Sequence, residues 1–243
     1  MRPTTITGLL AAASLADAAP ALHHFKRSLT NDSSSITSNS YDYVIAGGGL
    51  TGLTVASILS RDPAVSVLVI EQGYDQSAHP YTYDVRTYGQ AFNNPDFDFA
   101  LQSKPIPWRD NKSLHLVAGK MLGGSGSLNG ASWTKGPKTQ YDALPMLTGD
   151  DSWNFENFNK YMLRAEKFNE PNETMTAKGA QWMQEYHGYN GLVDVSFAAG
   201  MFGYVQSKSI AAAQEFWNGL GLNKDAASGT VNGVTTIPNM LHP

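Results

Sequence analysis

Tyr41-Asp42-Tyr43-Val44-Ile45-Ala46-Gly47-Gly48-Gly49-Leu50-Thr51-Gly52 opens a stretch that continues through Leu53–Ser60, Asp62-Pro63 and Val65–Ile70 to Glu71. Tyr43–Ala46 predicts a short apolar strand. Gly47, Gly49 and Gly52 supply G-x-G-x-x-G directly behind it. Leu50–Ser60 is apolar at helical spacing, and Asp62-Pro63 stops that helix. Val65–Ile70 predicts a second, β-branched strand, closed by Glu71. Each part has a mechanical reason. Gly47 permits the tight strand-to-helix turn, Gly49 leaves room for a pyrophosphate, and Gly52 lets the helix approach the sheet. The helix N-terminus offers free N–H groups and the positive end of its dipole. Glu71 stands where a carboxylate accepts hydrogen bonds from an adenosine ribose. A glycine-rich turn in an ordinary α/β domain would leave both the triple glycine and Glu71 unexplained. The stretch therefore predicts a dinucleotide seat, and an acid at position 71 argues against a ribose 2′-phosphate.

Outward from that unit, the chain has 243 residues, 42% hydrophobic and 16% charged, with a formal net charge of −4. That charge gives no electrostatic footprint for nucleic acid or for an anionic membrane. There is no cysteine, so disulfides, thiolate metal sites and a cysteine nucleophile are excluded. Arg2, the apolar run Ile6–Leu15 and Ala16-Asp17-Ala18 read as a signal peptide over 1–18 and an extracellular destination. Residues 19–40 read as a flexible lead-in or propeptide, with Lys26-Arg27 as a dibasic processing site or two solvated charges. Asn31, Asn111 and Asn172 head N-x-S/T triplets, which mark glycosylation sites in a secreted chain.

Residues 74–107 hold seven Tyr and Phe residues among Asn, Asp and Pro, and read as a lid over a flat aromatic group or as irregular surface packing. Ser113–Ala118 predicts an extended segment. It leads into Gly119-Lys120-Met121-Leu122-Gly123-Gly124-Ser125-Gly126-Ser127-Leu128-Asn129-Gly130-Ala131-Ser132-Trp133. The unobstructed amides of this segment suit a phosphate or a ring system. Trp133 adds an aromatic face and Asn129 an amide. Beyond it, Ser152 caps a predicted helix to about Phe168, with Trp153, Phe155, Phe158, Tyr161, Met162, Ala165 and Phe168 inward. A second helix is predicted over Thr176–His187, a strand over Leu192–Phe197 and a third helix over Tyr204–Trp217.

With both glycine segments in view, the sequence resembles the glucose–methanol–choline (GMC) oxidoreductases, and within them the glucose oxidase-like branch of fungi. The first glycine motif carries this, together with Gly119–Asp142, which satisfies the family's first signature, and the later order Gly188-x-x-Gly191-Leu192-Val193, Asn232-Gly233-Val234 and Pro238–His242. The resemblance covers about 41–243. It implies an α/β fold: an incomplete Rossmann-like FAD-binding domain over 41–150, containing the lid and the 119–142 signature. Residues 151–243 would form a helical extension, part of an α+β substrate domain, and a return to the FAD domain.

It also implies FAD rather than NAD as cofactor. Gly47, Gly49, Leu50, Thr51 and Gly52 would line the pyrophosphate, and Glu71 would hold the ribose. Gly123, Gly124, Ser125, Asn129, Gly130, Ala131, Ser132 and Trp133 would run beside the pyrophosphate and flavin. Full-length relatives would oxidise a sugar or alcohol C–H and pass the electrons to O₂ or a quinone. Family members are about twice this long, so the active-site histidine is expected beyond Pro243 and no catalytic residue is assigned within the chain. The resemblance thus implies the N-terminal portion of such an enzyme, inactive alone; weak or no retention of FAD is expected of it, since ligand stabilisation needs a formed site. Alternatives are a non-catalytic flavin-binding module, an aryl-alcohol oxidase or glucose dehydrogenase-type member, and a Rossmann enzyme using NAD.

Overall fold

The computed structural model describes residues 28–198, 204–217 and 221–241. The expected signal peptide, Lys26-Arg27, His23, His24 and His242 lie outside the described residues. A single helical turn, α1 (Ser34–Thr37), precedes β1 (Tyr43–Ala46), α2 (Leu50–Leu59) and β2 (Val67–Ile70). The strands pair in parallel, with Tyr43 opposite Val67 and Ala46 opposite Ile70. The predicted second strand starts two residues late. Val65 and Ser66 serve the turn instead: the Val65 N–H donates to the Asp62 carbonyl, and the Ser66 N–H and hydroxyl donate to the Asp42 carboxylate.

Residues 74–107 contain α3 (Pro80–Tyr83), a 3-10 turn at Val85–Thr87 and β3 (Leu101–Gln102), which pairs antiparallel with β4 (His115–Leu116). The extended segment predicted over Ser113–Ala118 keeps only β4 as ladder. Its flanking amides go to side chains, Leu114 to Ser103 Oγ and Ala118 to Asp98 Oδ1. Asp98 is buried and also accepts the N–H groups of Ala100 and Asn93. Burial works to raise its pKa, but these backbone donors outweigh it and hold the carboxyl below its ordinary value. Ala91 and Phe97 of this segment join Met121 and Leu128 in one buried cluster, with Tyr81 and Phe92 against it.

The second half runs through α4 (Lys138–Asp142), α5 (Leu144–Thr148), α6 (Phe155–Ala165), β5 (Glu166–Asn169), α7 (Glu173–Ala177), β6 (Val193–Ser196) and α8 (Tyr204–Phe216). Two predicted helices are corrected here. The one expected from Ser152 to Phe168 is capped by Asn154, whose side chain accepts the Asn157 N–H, and it ends at Ala165. Phe168 then lies on β5, where pairing with β6 overrides local helix preference. Trp153, Tyr161 and Ala165, expected inward, are exposed. The helix expected over Thr176–His187 is not formed. Asn172 caps α7 earlier in the chain, and Gly179 at φ +108° breaks it. The predicted strand over 192–197 and helix over 204–217 both form, as β6 and α8. Phe168, Ala180, Val195 and Phe197 make a second buried cluster, flanked by Trp133, Trp182 and Tyr189. Among the described residues, no helix is long and apolar enough to cross a membrane.

A glycine cleft as candidate cofactor site

The strand-to-helix turn is built as its glycines dictate. Gly47 sits at φ +99°, where an L side chain is strained. A Cβ at Gly52 would stand 2.1 Å from the Gly47 carbonyl oxygen, so α2 can approach β1 only without one. Gly49 takes the N-cap position of α2 with extended backbone and no side-chain cap. The first-turn amides, which no residue of the helix itself can satisfy, therefore open toward the space above Gly49. No acidic side chain stands in that turn to compete for them.

The second glycine segment folds directly onto the first. The Gly123 N–H donates to the Gly48 carbonyl at 2.8 Å, and Gly49 and Gly123 form an isolated parallel bridge. Gly124, at φ +55°, could carry no Cβ, because it would meet Gly49 Cα at 2.9 Å. At Gly119 a Cβ would lie 2.3 Å from the Gly124 carbonyl. Ser125 Oγ accepts the Gly119 N–H at 3.0 Å and fixes the turn. Between the segments lies a cleft of about 920 Å³.

Gly47, Gly49, Leu50, Thr51, Gly52, Glu71, Gly124, Ser125 and Asn129 all line that cleft. Glu71 Oε2 accepts the Gly48 N–H at 2.7 Å and Oε1 accepts the Gly73 N–H at 2.9 Å. A carboxylate has about four acceptor positions, so two remain free on a side chain already oriented by backbone. Asn129 is committed locally: its Nδ2 donates to the Gly126 carbonyl and its Oδ1 accepts the Ala131 N–H. It holds the Gly126–Ala131 bend, with Ala131 at φ +61°. Gly123 bridges to Gly49 and is not among the cleft-lining residues. Gly130 and Ala131 line a separate cavity of about 290 Å³ beneath Tyr81, Tyr83 and Tyr88.

Ser132 bridges to Asn239. Trp133, expected to offer its ring to the cofactor, packs against the Phe168 cluster and is not among the cleft-lining residues. Ala46, Ile70, Gln72, Phe99, Gly119 and Gly126 line the cleft without having been singled out as binding residues. Four of them, Ala46, Ile70, Gln72 and Gly126, adjoin assigned positions, a signal that was available. The seat suits a dinucleotide in three respects: helix amides without a cap, glycines where a Cβ would fill the floor, and a carboxylate with acceptor capacity to spare.

None of the three described histidines lines the cleft. His79 caps α3, its Nδ1 accepting the Tyr81 N–H. His115 Nε2 lies 3.7 Å from Asp98 Oδ2 without a hydrogen bond. His187 is buried between two carboxylates in the second half.

Comparison with known proteins agrees with this architecture. Residues 41–229 match the family profile described as GMC oxidoreductase. A glucose oxidase of Aspergillus carbonarius is 34% identical over 241 residues, covering 96% of this chain and 40% of that protein. A glucose oxidase of Penicillium chrysogenum is 35% identical, covering 100% of this chain and 40% of that protein. An FAD-dependent oxidoreductase of Chaetomium thermophilum superposes with a TM-score of 0.68 at 28% identity, over 84% of this chain and 34% of that structure. The chain thus spans about two fifths of the length of the curated relatives it matches. The glycine cleft, the fold around it and these likenesses place the chain in the GMC oxidoreductase family.

Proposed function

We propose that the cleft holds FAD and that this chain is the glucose oxidase-like, flavin-seating portion of a GMC oxidoreductase acting on a sugar or alcohol. The convergence of Gly47, Gly49–Gly52, Glu71, Gly124 and Ser125 on one cleft carries this reading. The α2 amides would take the pyrophosphate and Glu71 the ribose hydroxyls, while the 119–131 segment would run beside the cofactor. The flavin, when bound, supplies the hydride acceptor for a substrate C–H and passes the electrons on to O₂ or a quinone. The described residues supply the seat. None of their histidines is placed to take the substrate hydroxyl proton, the role that a histidine tuned near ambient pH fills best. The chain alone is therefore expected to bind without turning over, and secretion of the longer enzyme accords with its N-terminal sequence.

Titration of the purified chain with FAD, followed by quenching of flavin fluorescence, tests this. Saturable binding is expected, weak enough for the cofactor to be lost on gel filtration, since Leu50 at the cleft is 70% exposed. Glu71→Gln keeps one acceptor oxygen and should weaken binding about tenfold or more, the effect of leaving polar partners unpaired. Preferential binding of NAD, or no binding by a folded chain, would overturn the assignment. Peroxide production with sugars or aryl alcohols would locate a base within these residues.

A further inference from the structure

His187 is buried between two carboxylates contributed by distant parts of the chain. Its Nδ1–H donates to Glu166 Oε1 at 2.8 Å and its Nε2–H donates to Asp225 Oδ2 at 2.9 Å. The ring stacks on Phe168 with centroids 3.8 Å apart and planes 19° from parallel. Each carboxylate is further fixed by backbone. Glu166 Oε2 accepts the Gly188 N–H, and Asp225 accepts the N–H groups of Met183 and Ala227. Among the described residues one other cation faces the group: Lys135, whose Nζ donates to Asn159 Oδ1 and the Tyr186 carbonyl, with its charge felt by both Glu166 and Asp225. Tyr189, packed against Phe168, directs its hydroxyl to Glu170. With the ring protonated the cluster holds two negative and two positive charges.

We propose that Glu166, His187 and Asp225 form a pH-sensitive lock, in which the doubly clamped imidazolium holds the Asp225 segment against β5 and loss of its proton releases one side. The reason is stereochemical. Two ionised carboxylates can only accept, so both ring nitrogens must donate, and only the imidazolium does so. A neutral ring, in either tautomer, sets a lone pair against a carboxylate oxygen. Burial disfavours the charged ring, but the hydrogen bonds to Asp225 and Glu166 prevail and raise the His187 pKa above 6.5. Burial likewise opposes the Asp225 carboxylate, and the His187 hydrogen bond prevails to lower its pKa. The histidine contribution is thus complete below about pH 6.5 and lost as pH rises through the higher folded value. The Asp225 contribution is present above its ordinary 3.8 and lost as pH falls through the lower folded value. The lock closes between these limits. Opening frees the 3-10 turn at Ala226–Ser228, which Asp225 caps and whose neighbour Gly229 accepts the Lys138 N–H.

Nitrogen NMR of the histidine-labelled chain tests the protonation, and backbone hydrogen exchange tests the opening. The expected result is a His187 ring with both nitrogens protonated at pH 7, the signal that His187→Gln removes. Protection of the Met183 and Ala227 amides, corrected for intrinsic base catalysis, should then fall roughly tenfold or more as the ring deprotonates, the ratio that losing one hydrogen bond to a charged group conveys. Asp225→Asn should lower the His187 midpoint, and it assigns the resonance if His187→Gln does not fold. A neutral ring at pH 7, or exchange at Met183 and Ala227 that simply follows the α8 amides across the titration, would overturn the proposal.

Discussion

Around Gly47–Gly52 and Gly119–Gly124 the chain packs backbone against backbone, whereas around His187 it packs charged side chains and aromatic rings. In the first region the backbone contacts at Gly52, Gly119 and Gly124 are ones that a Cβ would forbid, and apolar surface stays open: Val44 is 58% and Ile70 51% exposed. In the second, Glu166, Val195 and Phe168 are almost fully enclosed. Parallel strands are ordinarily covered on both faces, so β1 and β2 contribute less stability than their sequence suggests. The difference separates two tasks. One region keeps a groove free of side chains for a ligand; the other holds the chain together by filling every space.

Substitutions that act on only one of these properties sharpen the contrast. Phe168→Ala should have the largest effect, about 3–5 kcal/mol in urea unfolding, because it opens a buried cavity and removes the ring on which His187 stacks. Gly52→Ala comes next. Its Cβ would collide with the Gly47 carbonyl and push α2 off β1, at about 1–3 kcal/mol, and FAD binding should go with it. Gly49→Ala is the most telling although its effect on the fold is smallest. The nearest atom to its Cβ is Gly124 Cα at 4.0 Å, so unfolding should move by no more than about 0.5 kcal/mol. The methyl nevertheless enters the cleft floor and should weaken FAD titration. Equal losses of stability in Gly49→Ala and Gly52→Ala would show that the groove is structural filling and break the comparison.

How much could be read from the sequence follows the same divide. The β1–α2–β2 unit was legible because its signals are local: glycines at fixed spacing, a stop at Asp62-Pro63, an acid at the strand end. The second glycine segment was legible as composition and its place beside the first only through the family resemblance, while the role of Asn129 as a brace for its own bend was not legible. In the second half the decisive partners are remote. Phe168 continues a helical stripe on paper, yet β6 recruits it into a strand. Ala180, Met183 and Tyr186 are spaced as one helical face, but Gly179 divides that stretch and irregular backbone brings them inward. Trp133 sits inside a cofactor signature and turns toward Phe168 instead. His187 gave no signal, since nothing near it in sequence names Glu166 or Asp225 as its partners.

That remoteness affects how the chain is made. Asp225 lies 38 positions after His187, so during synthesis the histidine and Glu166 emerge well before their third member. Until it arrives, the Nε2–H of the protonated ring has no acceptor, and burying it would leave that donor unsatisfied. The glycine groove, complete once the Gly126–Ala131 bend has left the ribosome, is free to assemble while the other half waits in water for its last residue.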